Sequence, residues 1–120
     1  MPSRFRVRKT KNGKFCFNLL SSNGEVILTS QLYVSRATAM KGIASVQGNA
    51  ADLDQYEVKT NRAGQHYFVL KAKNRQVIGC SEAYAGTTGM KNGIRSVSKN
   101  APTAVIEDIT IRVTYPDDQP

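Results

Sequence analysis

Arg4-Phe5-Arg6-Val7-Arg8-Lys9 alternates polar and apolar residues, and Phe15, Phe17 and Leu19 alternate again shortly afterwards. A period of two marks half-buried strands. Lys11-Asn12-Gly13 joins them, and the loop length decides which faces meet. A two-residue Asn-Gly turn sets Val7 opposite Asn18 and Arg8 opposite Phe17, which buries the wrong residues. A three-residue loop ending at Gly13 sets Val7 opposite Phe17 and Phe5 opposite Leu19. The longer loop is expected. Asn23-Gly24 then predicts a two-residue turn into a third strand, Val26 to Ser30. In that register Val26 and Leu28 join the Phe17/Leu19 face, and Ile27 falls on the other face beside Leu20.

After Tyr33 the period changes. Ser35 is the expected N-cap, and Ala39, Ile43 and Val46 recur at the spacing of one helix face. Gly42 lies inside that helix, where glycine costs up to about 1 kcal/mol relative to alanine. It is therefore expected to mark a close approach of backbones. Asn49 is expected to end the helix in a left-handed conformation.

All of this is written twice. Shifted by 51 residues, the chain lies on itself without a gap from Phe5 to Ala50, with fifteen identical pairs in 46 positions. Among them are Val7/Val58, Gly13/Gly64, Phe17/Phe68, Tyr33/Tyr84, Gly42/Gly93, Ile43/Ile94 and Asn49/Asn100. A regular repeat constrains architecture more than any propensity. Ile78 is then expected beside Lys71, as Ile27 beside Leu20. A last strand is expected where Val105, Ile109, Ile111 and Val113 alternate with polar residues. Its counterpart, Leu53 to Tyr56, runs straight into the first strand of the second unit.

The fold class expected is α+β: two tandem βββαβ repeats forming one antiparallel sheet with two helices packed on one face. Repeat 1 spans about 4–53 and repeat 2 about 54–115, followed by a flexible tail at 116–120, all in a single domain, 1–120. Each half is near the size at which a lone chain buries too little surface, so one shared core is expected.

Gly13 to Leu19, Asn23 to Tyr33 and Gly42 to Ala50, each present again 51 residues on, resemble the YegP-like family of small bacterial proteins. Its Gly-Ile-x-Ser-Val-x-x-Asn-Ala signature appears twice. The resemblance implies tandem β3-αβ units in one sheet with terminal strands exchanged between units. It brings no activity, cofactor or catalytic residue. His66 in place of Phe15 departs from the pattern.

The net charge is +8 and the pI about 9.8, which favours acidic partners such as nucleic acid. Arg4, Arg6, Arg8, Lys59, Tyr67 and Lys71 are expected on the sheet face away from the helices. Cations beside an aromatic there suit single-stranded nucleic acid. The same face, with Leu20, Ile27, Val69 and Ile78, suits instead a protein ligand or a second copy. No long apolar run spans a membrane. Met-Pro-Ser-Arg lacks a signal peptide's apolar core, so the cytoplasm is the expected compartment. Cys16 and Cys80 match no repeated position and read as reduced thiols, and with one His they make a zinc site improbable.

His66 reads as a core-margin residue. The carboxylates Asp52, Asp54 and Glu57, like Glu107 and Asp108, read as partners for surplus Lys and Arg. The repeated serines Ser30/Ser81 and Ser45/Ser96 have no repeated base beside them. The reading is therefore a non-catalytic interaction or structural module without cofactor or metal, with nucleic-acid binding as the alternative.

Overall fold

The computed structural model describes residues 3–110. Three strands, β1 (Arg4–Lys9), β2 (Phe15–Leu20) and β3 (Val26–Thr29), precede α1 (Arg36–Asn49). A 3-10 turn, Leu53–Gln55, leads into β4 (Tyr56–Thr60), β5 (His66–Lys71) and β6 (Val77–Cys80), then α2 (Thr87–Asn100) and β7 (Val105–Asp108). One seven-stranded sheet results, in the order β4-β5-β6-β3-β2-β1-β7. β3 meets β6 through Thr29 and Cys80, so the two units join at the middle.

The sheet is mixed rather than wholly antiparallel. β7 lies parallel to β1, with Arg4 opposite Val105 and Arg6 opposite Glu107. The antiparallel join of β3 and β6 sets the two units in opposite senses, and β7, which runs opposite to β6, therefore meets β1 in the same sense. The last strand of unit two thus closes onto the first strand of unit one. Among the described residues no matching strand closes onto β4. The stretch expected as that strand, Leu53 to Tyr56, is mostly the 3-10 turn, and Tyr56 already opens β4. β7 is shorter than the alternating pattern: Ile109 and Thr110 form a turn. Ile111, Val113 and the expected tail lie outside the described residues.

Val7 faces Phe17 and Phe5 faces Leu19, as the three-residue loop requires. All four hairpins use that loop, including the one at Asn23-Gly24, which is not a two-residue turn. Thr10 N–H donates to Lys14 O, Ser21 to Glu25, Asn61 to Gln65 and Ala72 to Gln76. The third loop residue is left-handed each time: Gly13, Gly24, Gly64 and, against its Cβ, Arg75 at φ 71°. The extra loop residue is absorbed by a bulge after Leu19 and after Leu70. Val26 therefore faces Leu20. Ile27 and Ile78 join the core instead of the far face expected for them.

One apolar cluster runs through both units, from Phe5, Val7 and Phe17 through Ile43, Val46, Phe68 and Leu70 to Val97. α1 packs on β2 but also on β5 and β6, and α2 on β5 and also on β3. The core is shared. The interior glycines do not mark the approach of backbones expected for them but make room for aromatic side chains. A methyl at Gly42 would lie 2.7 Å from Tyr33 Cζ, and one at Gly93 2.9 Å from Tyr84 Cζ. Each tyrosine ring also stacks on Phe17 or Phe68, centroids 6.1 and 6.4 Å apart. Such pairs contribute about 0.5–1.5 kcal/mol beyond burial. At the join of the units only one side chain fits: Leu28 fills the space that its counterpart Gly79 leaves, 2.6 Å from where a Cβ there would stand.

Ser35 caps α1 in a reciprocal box with Thr38, while Gly86 stands at the N-cap of α2. Asn49 and Asn100 are not left-handed; the chain continues right-handed through Ala50 and Ala101. Their amides donate instead to the Ser45 and Ser96 carbonyls, 2.8 Å each. Each side chain thus folds back onto the last turn of its own helix, with the Ser45 and Ser96 hydroxyls 3.4 and 3.3 Å from the same amides.

Candidate interaction surface

The alternation of β1 sends Arg4, Arg6 and Arg8 to the open face, opposite Leu20, Asn18 and Cys16 of β2. Lys59 stands beside Tyr67, and Lys71 lies two residues beyond Val69 on the same face. The six residues expected there do share one face, but they form two groups. β6, β3 and β2 separate β5 from β1, four strand spacings or roughly 19 Å.

Most of these cations already have partners. Glu107 accepts from Arg6 Nε at 2.8 Å and from Arg4 Nε at 3.3 Å. Arg8 donates to Asn18 Oδ1 at 2.8 Å, and Asn18 donates to Thr29. Lys71 is ion-paired with Glu57, and Lys59 lies 3.7 Å from the same carboxylate. The hydrogen bond from Arg6 holds the Glu107 carboxyl below its ordinary value, against a smaller opposing effect of burial. Lys71 does the same for Glu57, helped by the charge of Lys59.

The apolar component expected on this face is not exposed. Leu20, Ile27, Val69 and Ile78 are all buried, as is Cys16. Arg4, directly across from Leu20, is itself largely buried, and its Nη1 is buried with no hydrogen-bond partner among the described residues. His66 takes the place of Phe15, bridging Tyr84 as Phe15 bridges Tyr33, with Thr60 Oγ1 3.5 Å from its Nδ1. It sits half-buried at the core margin.

Exposed apolar surface lies instead at both ends of the sheet, with Val105 and Ile106 on β7 and Val58 on β4, and in the loop at Leu32 and Val34. β4 pairs with β5 and, among the described residues, has no neighbour on its other side. Val58 is 48% exposed and Leu53 63%, and Ile94 of α2 is only half-buried. Leu53, Lys91, Ile94, Arg95 and Ser98 line a cleft of about 280 Å³ on the helix side of that edge. In unit one the equivalent residues Val7 and Ile43 are fully buried. There β7 and its approach cover them, with Gln47 Nε2 reaching Ala104 O at 3.5 Å.

Around the start of β4 a second cleft, about 350 Å³, is lined by both signs of charge, including Asp54, Glu57, Lys71, Lys73 and Arg75. Lys73 donates to Asp52 at 3.1 Å. Asp52 is held below its ordinary value first by the Asp54 amide and then by Lys73. Tyr56 closes the floor, its hydroxyl donating to Ala50 O at 2.7 Å, and burial pushes that phenol far up. The bare edge was not among the expected sites. Its signal was present in Leu53 to Tyr56, where one stretch is asked to serve both as the last strand of unit one and as the first of unit two.

Among the described residues no three His, Cys, Asp or Glu side chains gather to hold a metal ion, and no helix is long and apolar enough to cross a membrane. The repeated serines are occupied with backbone. Ser30 Oγ accepts from Phe17 N–H and donates to Gln31 O, and Ser81 does the same with Phe68 and Glu82.

The family model described as "Domain of unknown function (DUF1508)" matches the chain twice, at residues 10–57 and 61–108. The chain is 54% identical over 107 residues to the UPF0339 protein YegP of Yersinia pestis, covering 89% of this chain and 96% of that one. It is 44% identical to YegP of Escherichia coli O157:H7, covering 92% and 100%. The solution NMR structure of E. coli yegP, described as a protein of unknown function, superposes with a TM-score of 0.85 at 43% identity, covering 91% and 94%. That of UPF0339 protein SO3888 from Shewanella oneidensis gives 0.86 at 39%, covering 96% and 99%. None of these names carries an activity.

Proposed function

The chain belongs to the DUF1508 family, in tandem form, and on that premise we propose that it is a non-catalytic cytoplasmic module that binds another protein along the free edge of β4. The observation that carries this reading is the pair Val7 and Val58. One residue at one repeat position is fully buried in unit one and 48% exposed in unit two. An unpaired strand with apolar surface beside it is a template for another chain. The repeated polar side chains support a non-catalytic role, since Ser30, Ser81, Asn49 and Asn100 are engaged in holding backbone groups.

The test is photo-crosslinking of the tagged full chain in a nuclease-treated cell extract. Crosslinks from captured polypeptides that fall on residues 53–60 and 91–98 support the reading. They must also vanish in Val58→Pro, whose substituted N–H belongs to the strand edge, with cooperative melting retained. Capture that is indifferent to Val58→Pro overturns it.

Lys59 beside Tyr67 on the open face favours a second reading, single-stranded nucleic acid, with Arg4, Arg6, Arg8 and Lys71 supplying charge. A titration with labelled oligonucleotide at two salt concentrations decides it. Binding that falls steeply with salt and is lost in Lys59→Ala/Lys71→Ala supports this reading.

A further inference from the structure

We infer that the bare edge of β4 takes a parallel, extended segment of a partner protein that places a Lys or Arg against Glu57 and aliphatic side chains toward the α2 cleft. The inference rests on the interaction-module reading and adds to it the orientation and chemistry of the ligand.

The molecule contains its own template. β7 lies parallel on β1, with Val105 N–H donating to Ser3 O and Ile109 N–H to Val7 O. Ala104, just before it, is buried in the common core. On the open face Glu107 is fixed by Arg4 and Arg6; on the helix face Asp108 is ion-paired with Arg36. By the 51-residue shift, Ser3, Phe5 and Val7 correspond to Asp54, Tyr56 and Val58. The strand edge is repeated. Among the described residues the strand that covers it is not.

The charges beside that edge are not repeated either. Arg4 and Arg6 become Gln55 and Glu57. A segment like β7 would bring Glu107 against the Glu57 carboxylate, which the neighbouring lysines keep ionised. Like charges opposed across a ladder are destabilising. The same position therefore rejects the β7 of another copy and accepts a cation. Lys59, 3.7 Å from Glu57, is the weaker of its present partners and the one an incoming cation displaces. On the helix face Leu53 and Ile94 offer apolar surface to the positions that Ala104 and Ile106 occupy in unit one.

The site is short. Tyr56 N–H is already spent on Leu53 O in the 3-10 turn, so pairing begins at the Tyr56 carbonyl and runs to Thr60. Four or so residues give weak, reversible binding, whose selectivity comes from the charge opposite Glu57.

The experiment titrates the isotope-labelled full chain with two peptides followed by amide NMR. One copies residues 102–110, and the other is the same with Glu107→Lys. The expected result is that the lysine peptide perturbs the amides of residues 56–60 and binds about tenfold more tightly, since one exposed pair gained and one repulsion removed are each worth a factor of a few. In the full-length Glu57→Arg variant, compared under conditions where its melting stays cooperative, and in Glu57→Gln beside it, the preference inverts and disappears respectively. Equal affinities, a preference that survives Glu57→Arg, or shifts away from β4 overturn the inference while leaving the crosslinking result to judge the module reading. Absence of binding by either peptide at millimolar concentration also overturns it.

Discussion

Val7 and Val58 occupy the same point of the same repeat, and so do Leu28 and Gly79, yet unit one and unit two use each pair differently. Val7 is sealed under β7, whereas Val58 faces solvent. Leu28 fills the middle of the sheet, and Gly79 exists to leave it room. The two units cannot be equal, because a covalent tandem has one closing strand to share and one place at its centre. The first asymmetry leaves an edge free. The second locks the halves together.

The largest effect expected is at that centre. Leu28→Gly should cost about 4 kcal/mol, a buried leucine deletion with its cavity, measured by urea unfolding. Gly79→Leu should cost about 3 kcal/mol by overpacking. The double exchange should recover at least half the summed loss, because the two positions share one space. Additive losses would mean that the two residues do not complement each other.

Where the units agree, they should respond alike. Gly42→Ala and Gly93→Ala each push a methyl into a tyrosine ring, and each should destabilise by about 2 kcal/mol net of alanine's better helix propensity. Unequal losses would show that one helix sits more loosely on its sheet.

The hairpin loops invert the sign. Arg75 bears a left-handed strain that Gly24 does not, so Arg75→Gly should stabilise by about 0.5–1 kcal/mol, and Gly24→Arg should destabilise by about as much. Thermal melting resolves both.

The smallest effect separates the closed edge from the bare one by pH. Glu107 is depressed by Arg6; for Asp108, burial pulls upward but the hydrogen bonds from Thr110 and the charge of Arg36 prevail. A carboxyl depressed in the fold stabilises above its unfolded pKa, near 4.5 for Glu107 and 3.8 for Asp108. That stabilisation is lost as the pH falls through the folded value. Amide exchange at Ile109, whose N–H bonds β1, should therefore accelerate between pH 5 and pH 3 relative to amides of β2. Equal acceleration of both would remove these ion pairs from the account of how β7 is held.

Much of the fold was legible before any coordinates. The Val7–Phe17 register followed from refusing to bury Arg8, and the helices from Ser35 and the spacing of Ile43 and Val46. The glycines at 42 and 93 announced a close approach, though not that tyrosine rings fill it. Less legible was anything decided between distant segments. The bulges that draw in Ile27 and Ile78 follow from loop geometry added to strand pairing. The roles of Asn49 and Asn100 depend on a carbonyl one turn back rather than on a left-handed backbone. Of the candidate site, the face of each cation was readable from alternation. Its partner was not, because Glu107 reaches Arg4 and Arg6 only after a helical crossover.

The amino-acid order alone determined the repeat, the period of each element and which side chains point together, since those depend on local geometry and a spacing of 51. The tertiary structure alone decided which edge is closed, which cations are neutralised and which valine is left in water. Those outcomes depend on a single strand, β7, choosing between two near-identical places, and that choice is made by contacts between residues about a hundred positions apart.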